Sequence, residues 1–327
     1  MKQNNIFLML LKVFFFSSIL VATSAVRAEL KVVTTIKPLH SLIANVMDGV
    51  GEPALIIEGS TSPHSFTLKP SHAKLLEEAD IIFWVGESIE TFMERPLESI
   101  VKNAEVVEFM EVESINKLKF REESIFEDHD DHDDHDDHDD HDDHDDHDDH
   151  SGHDHHGHAH GEFDAHIWLD PMNAKEMVHE IAHELGDLDP ANKNKYEANA
   201  QATIQALDQL VNDIEKGINK DAKFVVFHDA YQYFEERFGV RAAGALTLNT
   251  DVLPGAKQIA DIQDVIKDRG IKCIFSEPQF NPKIITTIAE DMNIKTGVFD
   301  PLGANIDSNK DLYFKLIQNL GNELKGC

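Results

Sequence analysis

Apolar positions along this chain follow two periods. The runs at 31–36, 54–57 and 81–85 are β-branched or wholly apolar, whereas Leu39, Leu42, Ile43, Val46 and Met47 recur at helical spacing after Pro38. The same spacing predicts helices over 71–78 and 91–101. Strands without polar alternation, separated by helices, point to a parallel sheet covered on both faces. The pattern returns in the second half, where 224–227, 243–246, 273–275 and 296–299 read as strands and 230–238, 255–267, 282–292 and 311–325 as helices.

Between the halves, Pro171 opens a helix whose stripe of Ala174, Met177, Val178, Ile181, Ala182 and Leu185 ends near Gly186, a residue suited to stop it. Asp189-Pro190 reads as the cap and first position of a second helix, carried by Ile204, Leu207, Leu210, Val211, Ile214 and Ile218. About thirty residues at 1.5 Å each would make a rod of roughly 45 Å, too long for one small domain. The expected fold class is therefore α/β, with two lobes built on parallel sheets and joined by a long rigid helix. The divisions are a leader at 1–28, an N-terminal lobe at 29–188, a linking helix at 189–220 and a C-terminal lobe at 221–327. A ligand belongs in the cleft, at the carboxyl ends of the strands.

One stretch breaks the pattern. Up to His150 a triplet of two carboxylates and a histidine repeats eight times, and His153, His155, His156, His158 and His160 follow. Residues 128–160 hold 13 of the 20 histidines, and 127–164 hold 19 carboxylates and no Lys or Arg, more than half of the formal net charge of -32. Such a segment has almost nothing apolar to bury and repels itself, so a disordered loop is expected over 127–164. Its imidazoles and carboxylates are ligands for borderline transition metals, held weakly and exchanged quickly, as suits a collector with a tighter site elsewhere. The remaining acidity argues against nucleic acid as a partner.

The first 28 residues read as a secretory signal, with Lys2, an apolar core at 13–22 and Val26-Arg27-Ala28 at the cleavage point. A soluble periplasmic protein is expected. In an exported chain the two cysteines, Cys273 and Cys327, read as a disulfide. Closing a loop of about 54 residues contributes roughly 4 kcal/mol in the chain-entropy treatment.

Three histidines lie where a ligand would bind: His64 after the second strand, His166 at the edge of the acidic tract and His228 directly after 224–227. Asp300, after 296–299, is a fourth candidate. Three neutral imidazoles suit tetrahedral zinc, completed by water, a carboxylate or a further histidine. His40 and His72 fall on predicted helices and read as structural.

The segments Pro63-His-Ser-Phe66, Asp80-Ile-Ile-Phe-Trp-Val-Gly86, His166-Ile-Trp-Leu-Asp-Pro171, Phe227-His-Asp-Ala-Tyr-Gln-Tyr-Phe234, Glu277-Pro-Gln-Phe280 and Asp300-Pro-Leu-Gly-Ala-Asn305 resemble the zinc-specific periplasmic solute-binding proteins of bacterial ABC importers, in the metal-binding cluster A-I family. The resemblance spans the mature chain, including the acidic insertion and the cysteine pair. It implies two similar lobes, a zinc ion held in the cleft by His64, His166 and His228, and delivery by a monomeric receptor to a membrane permease and its ATPase. Manganese-binding relatives carry a carboxylate where His228 stands, so histidine there implies zinc, in keeping with ligand softness. Some zinc members use an acidic residue just before the first ligand. Pro63 occupies that position here, which leaves the fourth ligand open among Asp300, water and a tract histidine.

Two other functions compete. A zinc buffer without a transporter shares nearly all of these features. His179-Glu-Ile-Ala-His183 is a literal H-E-x-x-H, which in metalloproteases places Glu180 as general base. Here the apolar stripe turns His179 and His183 to solvent, and no substrate strand or Met-turn follows, so an enzyme is not expected.

Overall fold

The computed structural model describes residues 29–126, 162–248, 250 and 253–327. The leader and the tract at 128–160 lie outside the described residues. Residues 162–164, expected to belong to the disordered loop, are instead held in place: Phe163 bridges antiparallel to Lys119, and Asp164 N–H donates to Leu118 C=O at 2.9 Å.

In the N-terminal lobe β1 (Val32–Thr34), β2 (Ala54–Leu55), β3 (Ile81–Trp84) and β4 (Glu105–Glu108) form one parallel sheet in the order β2-β1-β3-β4. Helices α1 (Lys37–Val46), α2 (Pro70–Glu78) and α3 (Glu94–Ser99) connect them, and α4 (Pro171–Leu188) completes the lobe. The sequence reading missed β4, whose Glu-Val-Val-Glu offers only two apolar residues. Its pairing, Ile82 opposite Val106 and Phe83 opposite Val107, is what makes it a strand. The C-terminal lobe repeats the arrangement. There β5 (Phe224–His228), β6 (Ala245–Thr247), β7 (Cys273–Ser276) and β8 (Lys295–Val298) run parallel in the order β6-β5-β7-β8, with α6 (Gln232–Phe238), α7 (Ala256–Asp268), α8 (Lys283–Met292) and α9 (Leu312–Leu324) around them. In both lobes the first strand lies between the second and the third. Each sheet therefore has a switch point between its first and third strands, where open α/β sheets bind ligands.

Two helix boundaries differ from expectation. Helix α4 runs through Gly186 to Leu188, where Gly186 packs under the Lys193 side chain. Asp189 does not cap the next helix: its Oδ2 accepts from Asn192 Nδ2 at 2.6 Å, and α5 spans Lys193–Gly217. At 1.5 Å per residue those 25 residues make a rod of about 37 Å.

The buried face of α5, with Tyr196, Ala200, Ile204, Leu207, Leu210 and Ile214, lies on α1 and α4 at one end and on α9 at the other. The lobes share one continuous apolar core that reaches from β1 and β3 through these helices to Phe275 and Phe299. A smaller core fills the outer side of the second sheet around Ile274, Leu246 and Ile288. Cys273 in β7 and Cys327 after α9 form the expected disulfide, with Cα atoms 5.7 Å apart.

Candidate metal centre

At the switch point of the C-terminal lobe, His228 is the last residue of β5 and Glu277 directly follows β7. The equivalent point of the N-terminal lobe is plugged. Glu90, fully buried, accepts there from the N–H of Val85 at 2.7 Å and of Gly86 at 3.2 Å. Only the second lobe therefore offers its switch point to a ligand.

His64 arrives from the other lobe on a short 3-10 turn, Pro63–Ser65, started by the fixed φ of Pro63. His166, at the edge of the acidic tract, precedes the 3-10 turn Ile167–Leu169. Its segment is tied across the cleft, since Tyr233 donates to Asp164 C=O at 2.6 Å, Trp168 Nε1 to Pro301 C=O at 2.7 Å and Tyr313 to Trp168 C=O at 2.7 Å.

The three imidazoles converge, with ligand atoms all within 4.8 Å of one another, and no other such group of three occurs among the described residues. His166 and His228 are 5% and 3% exposed, and the cavity they share with His64 measures about 10 Å³, room for roughly one water-sized body. His166 Nε2 lies 3.3 Å from His228 Nε2. Two zinc–nitrogen bonds of about 2.0–2.1 Å at a tetrahedral angle span about 3.3–3.4 Å, so the spacing fits a shared ion.

Their other ring nitrogens are engaged by buried carboxylates. Asp164 Oδ1 lies 2.7 Å from Nδ1 of His166 and also accepts that residue's backbone N–H, while Glu277 Oε1 lies 2.6 Å from Nδ1 of His228. A carboxylate on Nδ1 holds the proton there and turns the Nε2 lone pair inward. Two inward lone pairs 3.3 Å apart repel unless a cation or a proton lies between them, and two carboxylates balance the charge of a divalent ion.

Sequence reading did not assign roles to Asp164 and Glu277. An Asp two residues before a histidine of the cluster, and a Glu just after a buried strand at a switch point, were the available signals. Asp300 does not join the group: its carboxylate accepts from Gln279, Leu302, Gly303 and Ala304. His40 Nε2 contacts Pro53 C=O at 3.1 Å, and His72 Nδ1 accepts from the N–H of Lys69. The H-E-x-x-H residues lie on the outer face of α4, with His183 62% exposed and 3.6 Å from Asp187.

Two parallel α/β lobes of matching strand order, braced by a long helix around a buried cluster of nitrogen donors, define a two-lobed metal-type solute-binding protein. The chain belongs to the ZnuA family, zinc-uptake complex component A, periplasmic, whose profile matches residues 32–327. It is 49% identical over 303 residues, 90% of this chain and 91% of the relative, to a high-affinity zinc uptake system protein of Brucella abortus. A protein of the same description from Yersinia pestis is 32% identical over 313 residues, 95% of each chain. Among solved structures, a crystal structure of ZnuA superposes with a TM-score of 0.70 at 21% identity, covering 90% of this chain and 98% of that one. The family is one of transport components, not enzymes.

Proposed function

We propose that the protein captures one Zn²⁺ in its cleft through His64, His166 and His228 and hands it to an ABC permease and its ATPase for uptake. The observation that carries the reading is the convergence of three imidazoles from three separate segments, two of them backed by buried carboxylates. Nitrogen donors and the absence of a carboxylate from the converged group favour zinc over manganese. Residues 1–28 serve as a cleaved export signal, and the Asp- and His-rich tract collects zinc for the cleft.

A competitive zinc titration of the mature chain tests this, beside the triple variant His64→Ala, His166→Ala, His228→Ala and the control Glu180→Ala. The tight phase is expected to disappear only in the triple variant. Retention of tight binding there, with loss in Glu180→Ala, would move the site to α4. Stimulation of the cognate permease's ATP hydrolysis by the zinc-loaded protein separates a receptor from a buffer.

A further inference from the structure

The loop after β8 is held from two sides. Inside it, Asp300 Oδ1 accepts from the N–H of Leu302 at 3.1 Å and of Gly303 at 3.0 Å, and Oδ2 accepts from Ala304 at 2.6 Å. From the other lobe Lys37, the first residue of α1, sends Nζ to the carbonyls of Gly303 at 2.6 Å, Ala304 at 3.1 Å and Ile306 at 2.6 Å. Gly303 has φ +68°, and a side chain there would also press on Leu312 at 3.3 Å, so only glycine suits the turn.

Lys37 is 5% exposed and its hydrogen-bond partners are uncharged, with burial pushing its pKa down. Burying an ammonium without an ion-pair partner in contact is costly. The loop it grips forms part of the histidine chamber: Pro301 and Leu302 line the cavity, and the Pro301 carbonyl receives Trp168 Nε1, two residues from His166.

We propose that Lys37 and Asp300 form a latch between the lobes that fixes this wall, and that they act as positioning residues governing how slowly zinc leaves. The inference rests on the zinc-site reading above. Neither residue belongs to the converged group, so neither need touch the ion. A fixed wall keeps His166 seated and denies water the room to displace an imidazole. Cutting either side of the latch frees the wall, so the two substitutions act through one element.

The test is zinc release from the full mature chain to an excess of chelator, where the slow phase reports the cleft, together with the visible absorption of Co²⁺ bound in place of zinc. Lys37→Met and Asp300→Asn are each expected to speed the slow phase by ~10-fold, the lower end for residues that support metal ligands, and to alter the cobalt spectrum. The double variant should be little worse than the stronger single one, because both act on one loop. A lowered thermal midpoint with the slow phase and cobalt spectrum unchanged would show only structural support and overturn the latch. Should Lys37→Met not fold, the isosteric Asp300→Asn decides by the same two readouts. A slow phase that survives in the triple histidine variant would instead overturn the zinc site on which the latch depends.

Discussion

Glu277 Oε1 sits 2.6 Å from Nδ1 of His228, and both side chains are almost wholly buried. The pair joins the ends of β5 and β7, so the orientation of the His228 ring is set by the sheet and not by a surface loop. Glu277→Gln keeps the shape and removes the charge. Zinc affinity of the tight site is expected to fall by ~10–100-fold with stoichiometry unchanged, as for other carboxylates behind metal-bound imidazoles. Chelator competition reads this directly, and unaltered affinity would remove Glu277 from the site.

Glu90 makes stability depend on pH. Burial, first among its causes, pushes its carboxyl up from an ordinary 4.5 to about 7. An acid whose folded pKa is raised resists ionising in the native state, so stability falls as pH rises from about 4.5 to about 7 and the whole penalty is present above 7. The difference corresponds to roughly 3 kcal/mol at most. Glu90→Gln, which can still accept from Val85 and Gly86, should raise the denaturation midpoint at pH 8 and change it little at pH 4.5. Equal effects at both pH values would show that Glu90 titrates normally.

The disulfide between Cys273 and Cys327 ties the chain after α9 to β7 across 54 residues of sequence. Replacing both cysteines by serine should lower unfolding free energy by about 2–4 kcal/mol. The cleft lies at the opposite ends of the strands from Cys273, so the tight zinc phase should survive in the folded variant.

Removing residues 128–160 should lower the number of zinc ions bound while sparing the tight one, since His64, His166 and His228 all lie outside that span. Equilibrium dialysis counts the ions, and chelator competition follows the tight one. Loss of the tight event would place the primary site in the tract.

Closure on zinc binding should be small. Besides the contacts of Lys37, Ser41 Oγ and Asn45 Nδ2 of α1 donate to Lys310 C=O at 3.0 and 2.8 Å, and one apolar core runs through both lobes. A hinge would have to break these bonds and expose that core. Solution scattering of metal-free and zinc-loaded protein lacking 128–160 should give nearly superimposable curves, and a change in radius of gyration of several ångströms would contradict the brace.

The alternation of strands and helices, the parallel sheets, the disulfide partners and the three histidines were legible from the chain alone. Those signals are local: an apolar run, a proline at a helix start, a cysteine pair, a histidine beside a strand end. The sequence left β4 unread because Val106 and Val107 become a strand only through pairing with β3. It misplaced the stop of α4, because the packing of Gly186 against Lys193 cannot be read from spacing. That Asp164 and Glu277 stand behind two of the imidazoles while Asp300 turns to its own loop emerged from the folded arrangement alone. A carboxylate's role depends on which N–H group reaches it first: for Glu277 that group is on His228, 49 residues away in sequence, and for Asp300 it is three successive amides at 302–304 that converge only once the turn at Gly303 has formed.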